Sequence, residues 1–154
     1  MHAFLFPMRR SFSIVAIVLS IVVLDQVTKY LIMAHLPLFD SREIFPFLHI
    51  VHVRNTGAAF GMFRSLGSSF FIILSAVAII FIVHLLAKRT YSSLGLSLIL
   101  GGAAGNLIDR LLYGKVVDFI DVSVGSYHWP AFNVADSSLT IGIAVILIKY
   151  FFKK

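Results

Sequence analysis

The chain has 154 residues, of which 59% are hydrophobic and only 13% are charged, and its mean hydropathy is +0.96. Soluble domains are roughly 45–50% apolar and about 25% charged, so a water-soluble protein of this length could not bury so much apolar surface. The net charge of +6 does not indicate a partner nucleic acid, because the basic residues form no single stripe. The absence of cysteine excludes disulfides, thiolate metal sites and cysteine nucleophiles.

Four apolar segments, at about 11–33, 68–87, 94–113 and 134–152, predict four transmembrane helices. The loops between them leave no room for a soluble domain, so we predict a single membrane domain over residues 1–154, an all-α integral membrane protein. The first segment is not expected to be a cleaved signal peptide. Its apolar part continues past Asp25, and no small-x-small cleavage site follows cleanly.

The distribution of basic residues predicts the orientation of these helices. On one side of the predicted membrane lie both chain ends and the loop between the second and third helices, with seven lysines and arginines: Arg9, Arg10, Lys88, Arg89, Lys149, Lys153 and Lys154. By the positive-inside rule both termini face the cytoplasm. The loops at about 34–67 and 114–133, where basic and acidic residues are mixed, then face outward.

The first outer loop is the longer one and contains a segment with strand character. Residues 47–53 mix β-branched, aromatic and histidine residues, which favours a strand, and residues 55–57 favour a turn. We therefore predict a small β-rich element in the first extracytoplasmic loop.

Polar residues in membrane segments are costly, so each needs a reason. Here they form four clusters near the outer ends of the predicted helices or in the outer loops. Asp25 and Lys29, the first cluster, are four residues apart and can pair along one helix face, a structural role. In the second, Asn55 is followed by small residues including Gly57, which fits either a plain turn or a surface that binds an extended chain.

The third cluster begins with Gly101 and Gly105, whose spacing favours close helix packing. Asn106, Asp109 and Arg110 follow at positions i, i+3 and i+4 and share one helical face. Buried polar contacts between helices would explain these three side chains, and so would a functional site.

The fourth cluster contains two carboxylates at an apolar boundary. Asn133 is a candidate N-cap of the fourth helix, with Asp136 in its first turn. Asp118 lies in an apolar stretch and has only Lys115 as a basic residue nearby. Two close carboxylates share a proton, so that the ionised member can take a proton from water while the protonated member polarises a peptide carbonyl.

Other functions fit the sequence less well. A His-Glu-x-x-His zinc motif and a Gly-x-Ser-x-Gly elbow are both missing, and we interpret all six histidines as structural or surface residues and Asp121 as a bystander. Neither a metal nor another cofactor is expected. A proton-coupled transporter or channel subunit would also need intramembrane polar residues, but here they gather at one face instead of crossing the membrane. A passive scaffold would explain neither Asp118 nor Asp136.

The four clusters together resemble the lipoprotein signal peptidase (signal peptidase II) family. The matching stretches are DQVTK at 25–29, RNTGAAFG at 54–61, GGAAGNLIDR at 101–110 running on to VVDF at 116–119, and FNVAD at 132–136. One such motif would be weakly specific, but four in the family's order, in a chain of the family's length, are highly specific.

The resemblance implies an intramembrane aspartic endopeptidase with Asp118 and Asp136 as its catalytic pair. It implies cleavage of diacylglyceryl-modified prolipoproteins before the lipid-bearing cysteine, at the outer face of the bacterial inner membrane among its phospholipids, and inhibition by globomycin. It also assigns supporting or substrate-binding roles to eight residues: Asp25, Lys29, Asn55, Gly57, Asn106, Asp109, Arg110 and Asn133.

Overall fold

The computed structural model describes residues 5–57 and 67–152. Four α-helices overlap the four apolar segments: α1 (Leu5–His35), α2 (Gly67–Lys88), α3 (Ser93–Tyr113) and α4 (Val134–Phe151). Four strands lie between them: β1 (Ser41–Phe45), β2 (Leu48–Asn55), β3 (Val116–Val124) and β4 (Tyr127–His128). The small residues at 58–61 and the basic residues Arg64, Lys153 and Lys154 lie outside the described residues.

Three of these helices are long and apolar enough to cross a membrane: α1 over Arg10–His35, α2 and α4. Their apolar side chains are largely exposed, as at Leu19, Ile80 and Ile148. Helices that are apolar all round are stable when lipid or other helices cover them. The third predicted segment forms the helix α3, but α3 is not among the three helices that are long and apolar enough to cross a membrane.

The composition of α3 follows from its position, because it packs against α1, α2 and α4. Its glycines lie where the other helices come closest: a Cβ on Gly101 would be 2.9 Å from Ile21 Cβ, and one on Gly105 would be 2.6 Å from Asp25 Oδ2. The predicted close packing at these two glycines is confirmed. A helix enclosed by protein needs fewer apolar residues, which accounts for the lower hydropathy of α3.

The ends of α3 and α4 carry the chain into and out of the sheet. Gly114 ends α3 in the left-handed conformation (φ 69°), and its N–H bonds to Arg110 O at 3.0 Å. This turn leads directly into β3. Asn133 caps α4, as predicted, and its side chain accepts a hydrogen bond from Asp136 N at 2.9 Å.

The sheet has the strand order β1-β2-β3-β4 and is antiparallel throughout. The strand predicted at 47–53 is confirmed as β2. However, the prediction that the β-rich element belongs to the first loop was incomplete, since the second loop supplies β3 and β4. The first four residues of β3 are all buried, so this strand lacks the alternation that marks a half-buried strand.

Candidate active site

Asp118 lies near the start of β3, where the pairing of Val53 with Asp118 joins β2 to β3. Its side chain is only 4% exposed. Asn133 Nδ2 donates a hydrogen bond to Asp118 Oδ1 at 2.7 Å. The strand pairing and this amide together fix the position of a carboxylate that has almost no contact with solvent.

Asp136 lies in the first turn of α4 and is held by two asparagines. Asn106 Nδ2 donates to Asp136 Oδ1 at 2.8 Å, and Asn133 Oδ1 accepts from Asp136 N at 2.9 Å. The Nδ2 atom of the same Asn133 side chain donates to the Asp118 carboxylate. The Asn133 side chain therefore links the backbone at Asp136 to the carboxylate of Asp118. The two aspartates therefore meet, although one comes from the sheet and the other from a helix.

Burial raises the pKa of the Asp118 carboxyl to about 7, and the charge of Asp136 raises it as well. Hydrogen bonds from Asn55 and Asn133 act in the opposite direction, and so does the charge of Lys29. Lys29 comes from α1 and lies far from Asp118 in the sequence. The sequence alone indicated only Lys115 as a basic residue near Asp118. A carboxyl group with a pKa near 7 can hold or release a proton under neutral conditions.

Behind the two aspartates lies a buried ionic cluster. Lys29 Nζ lies 2.8 Å from Asp25 Oδ2 and 2.9 Å from Asp109 Oδ2, and all three side chains are at most 1% exposed. Lys29 Nζ also donates to Asn106 Oδ1 at 3.1 Å. The predicted pairing of Asp25 with Lys29 is confirmed, and Asp109 joins it from α3.

The two acidic members of this cluster also hold backbone groups next to the aspartates. Asp25 Oδ1 accepts a hydrogen bond from Ala135 N at 2.9 Å, one residue before Asp136. Asp109 Oδ2 accepts from Val117 N at 3.0 Å, one residue before Asp118. The cluster around Lys29 therefore anchors both chain segments that carry the aspartates.

Gln26 belongs to the same network and was missed from the sequence. Its Nε2 donates to Asp109 Oδ1 at 2.9 Å and to Gly105 O at 3.2 Å. The available signal was an amide side chain next to Asp25 in an otherwise apolar helix.

Arg110 points away from the ionic cluster, toward the turn after β2. Its Nη2 donates to Gly57 O at 3.4 Å, and its guanidinium lies 5.2 Å from the centre of the Phe71 ring. The predicted turn is present, because Asn55 Oδ1 accepts a hydrogen bond from Gly57 N at 2.9 Å. Arg110 thus connects α3 to this turn and to α2.

A cavity of about 760 Å³ opens over the two aspartates. Its wall is largely apolar and comes from α2, α4 and the segment after β4, including Phe71, Leu74, Trp129, Phe132 and Leu139. Six of the ten predicted site residues line the cavity: Asn55, Gly57, Asn106, Arg110, Asp118 and Asp136. The other four support the site from behind: Asp25, Lys29, Asp109 and Asn133. Two carboxylates in an apolar cavity suit acid–base chemistry on a polar bond of an apolar ligand.

The family model described as Signal peptidase (SPase) II matches residues 17–152. The chain belongs to this family. Relatives named lipoprotein signal peptidase include a protein of Thermodesulfovibrio yellowstonii, 50% identical over 84% of this chain and 88% of its own length. Another, from Syntrophotalea carbinolica, is 45% identical over 89% of this chain and 90% of its own length. A third, from Staphylococcus aureus, is 43% identical over 87% of this chain and 85% of its own length.

Two solved bacterial membrane enzyme structures, obtained by the in meso method, are similar to this fold. The one at 2.3 Å resolution has a TM-score of 0.83 and 41% identity and covers 90% of this chain and 87% of its own. The one at 1.9 Å resolution has a TM-score of 0.82 and 40% identity, and the match covers 92% of this chain and 94% of its own. Together with the three apolar helices, these similarities identify the chain as an integral membrane protein and a protease of the signal peptidase II family.

Proposed function

We propose that this chain is an intramembrane aspartic endopeptidase that removes signal peptides from diacylglyceryl-modified prolipoproteins, with Asp118 and Asp136 as the catalytic pair. The observation that carries the proposal is the convergence of these two carboxylates, from β3 and α4, on one apolar cavity of about 760 Å³. A cavity of this kind suits an apolar signal peptide, and the two acids suit hydrolysis of its peptide bond.

In the proposed reaction the two aspartates share one proton. The ionised carboxylate takes a proton from a water molecule while the protonated carboxyl donates to the carbonyl oxygen of the scissile bond. The water oxygen bonds to the carbonyl carbon, and a tetrahedral intermediate forms. The carbon–nitrogen bond then breaks as the leaving amine accepts a proton from one carboxyl, while a hydroxyl of the intermediate returns its proton to the other carboxylate and the carbonyl re-forms. The pair again shares one proton, and the cysteine that carries the lipid becomes the new amino terminus.

The surrounding residues have different proposed tasks. Asn106 and Asn133 orient the two carboxylates through the hydrogen bonds described above. The Lys29 cluster holds the backbone at Val117 and Ala135, as described above, and so fixes the distance between the carboxylates. Asn55, Gly57 and Arg110 line the cavity at the turn after β2, where the backbone of an extended substrate can bind.

We also propose that all four helices span the bacterial inner membrane as one domain, with both termini in the cytoplasm. The basic residues near the chain ends support this orientation. Although α3 is less apolar, the other helices surround it, so lipid need not cover its polar side chains. The sheet and the aspartates then lie near the outer face, in contact with phospholipid and within reach of a lipidated substrate. A globomycin-type inhibitor would occupy the same cavity.

The test is cleavage of a diacylglyceryl-modified prolipoprotein by the purified protein in detergent. We expect a cut before the modified cysteine, inhibition by globomycin, and at least a thousandfold loss of turnover in Asp118→Asn and in Asp136→Asn. The matched control is Glu43→Gln on the exposed strand β1, which should keep wild-type activity.

A substrate whose cysteine is replaced by serine carries no lipid and should not be cut. Retained turnover in either folded asparagine variant would refute the two-aspartate mechanism. A folded wild-type sample that leaves a lipidated substrate intact, when a relative cuts it, would refute the proposed activity.

A further inference from the structure

A second cluster of chemically active side chains lies on the sheet, outside the cavity that holds the two aspartates. It consists of His49 on β2, Asp121 on β3 and His128 on β4, and we refer to it as the strand cluster. The ligand atoms of these three residues lie within 4.8 Å of one another. Three potential metal ligands thus converge from three adjacent strands.

Strand pairing explains why these residues meet. His49 pairs directly with Asp121 across β2 and β3, so their side chains project from the same face of the sheet. The β3–β4 hairpin brings back His128, whose ring centre lies 5.8 Å from that of His49. These positions are fixed by the backbone of the sheet, which gives a ligand set little freedom to rearrange.

Within the part of the chain that the structure describes, not every ring nitrogen of the strand cluster makes a hydrogen bond. His128 Nδ1 lies 2.8 Å from Asp121 Oδ2, and this hydrogen bond leaves His128 Nε2 to face other ligands. His49 Nδ1 is shielded from solvent and makes no hydrogen bond among the described residues. A shielded polar atom without a partner is unfavourable, and such an atom in a native structure points to a bound water, ion or other ligand.

We propose that the strand cluster binds a divalent transition-metal ion, for which Zn²⁺ is the best fit. Imidazole nitrogens together with one carboxylate suit Zn²⁺, and a site with three protein ligands keeps a fourth position for water. Asp121 and His128 also line a separate cavity of about 290 Å³, which offers room for that water. The sequence interpretation of the histidines as structural or surface residues, and of Asp121 as a bystander, overlooked this cluster.

A bound ion would fasten β2, β3 and β4 to one another. Asp118 lies three residues before Asp121 on β3, and Trp129, which lines the cavity over the aspartates, directly follows His128. The ion would therefore stabilise the rim of that cavity without contacting it. The proposed metal site does not depend on the proposed peptidase activity, because its ligands take no part in that reaction.

The test is competition for Zn²⁺ between a chromophoric chelator and the full chain, purified in detergent without a histidine tag. We expect one competing ion per chain, and a loss of affinity of about tenfold or more in His49→Ala and in His128→Ala. The matched controls are His35→Ala and His84→Ala, which remove exposed histidines from α1 and α2 and should bind Zn²⁺ like the wild type. Equal affinity in wild type and both strand-cluster variants would overturn the proposal.

Loss of binding in a variant must be separated from loss of fold. His49→Gln keeps a polar side chain of similar size, and circular dichroism with thermal unfolding in the absence of Zn²⁺ reports whether each variant is folded. X-ray absorption of the zinc-loaded wild type gives an answer that needs no variant. Scattering from two imidazole rings is expected, and a spectrum with oxygen ligands alone would show an adventitious ion only and overturn the site.

Discussion

Replacing Lys29 by methionine should destabilise the protein strongly, because this residue pairs with two buried carboxylates. Lys29 Nζ lies 2.8 Å from Asp25 and 2.9 Å from Asp109, and none of the three side chains is more than 1% exposed. Removing one partner of a buried ion pair leaves an uncompensated charge and costs about 3–5 kcal/mol. At 2–4 °C for each kcal/mol in a chain of this size, the midpoint of thermal unfolding should fall by roughly 6–20 °C.

The assay is thermal unfolding in detergent, followed by the fluorescence of Trp129, the chain's single tryptophan. Lys115→Met is the matched control, since Lys115 is exposed and the same chemical change there should alter the midpoint little. The double variant Lys29→Met/Asp109→Asn should recover part of the loss, because it also removes the charge of one of the carboxylates left without a counterion.

Unfolding of Lys29→Met at the same temperature as Lys115→Met would refute the role of Lys29 as a buried counterion. A further fall of the unfolding midpoint when Asp109→Asn is added to Lys29→Met would refute this role as well. Partial recovery would instead show that the stranded charge, and not the lost lysine packing, causes most of the destabilisation.

Three further predictions concern the aspartates and their supports. The pKa of the Asp118 carboxyl is about 7 in the folded chain, compared with 3.8 for an unperturbed aspartate. The stability that its protonated form contributes is therefore complete below about pH 4 and is lost as the pH rises through 7. Turnover should fall over the same upper pH range, which a pH–rate profile measures. Asn133→Asp keeps a helix cap but replaces the amide that donates to Asp118 with another carboxyl group. Both changes, the lost donor and the added acid, raise the pKa of Asp118, so the alkaline limb of the pH–rate profile should move to higher pH. An unchanged limb would argue against the donor role of Asn133. Gly105→Ala places a methyl group 2.6 Å from Asp25 Oδ2 and should lower the unfolding midpoint by several degrees, whereas a variant as stable as wild type would show that α1 and α3 can separate freely.

Sequence spacing predicted the local parts of the site. Asp25 and Lys29 are one helical turn apart, and Asn133 stands three residues before Asp136, so their contacts follow from helix geometry alone. The addition of Asp109 to the cluster depends on the register between α1 and α3, which a single sequence does not encode in any short spacing.

The missed features are those that depend on contacts between distant segments. The first four residues of β3 are buried and are apolar except for Asp118, so this part of the strand lacks alternation. The strand cluster joins His49 to residues in the other outer loop, and no ligand-spacing motif links positions so far apart.

The shared sheet also fixes the order in which the molecule can mature during synthesis. β2 emerges early, but its partner β3 follows only after α2 and α3 have been made, and the isolated β1–β2 hairpin is marginally stable at best. Asp136 appears later still, at the start of α4. A nascent chain that has not released α4 therefore carries Asp118 on the sheet without Asp136. Under the proposed two-aspartate mechanism, such a chain cannot yet cleave a neighbouring peptide.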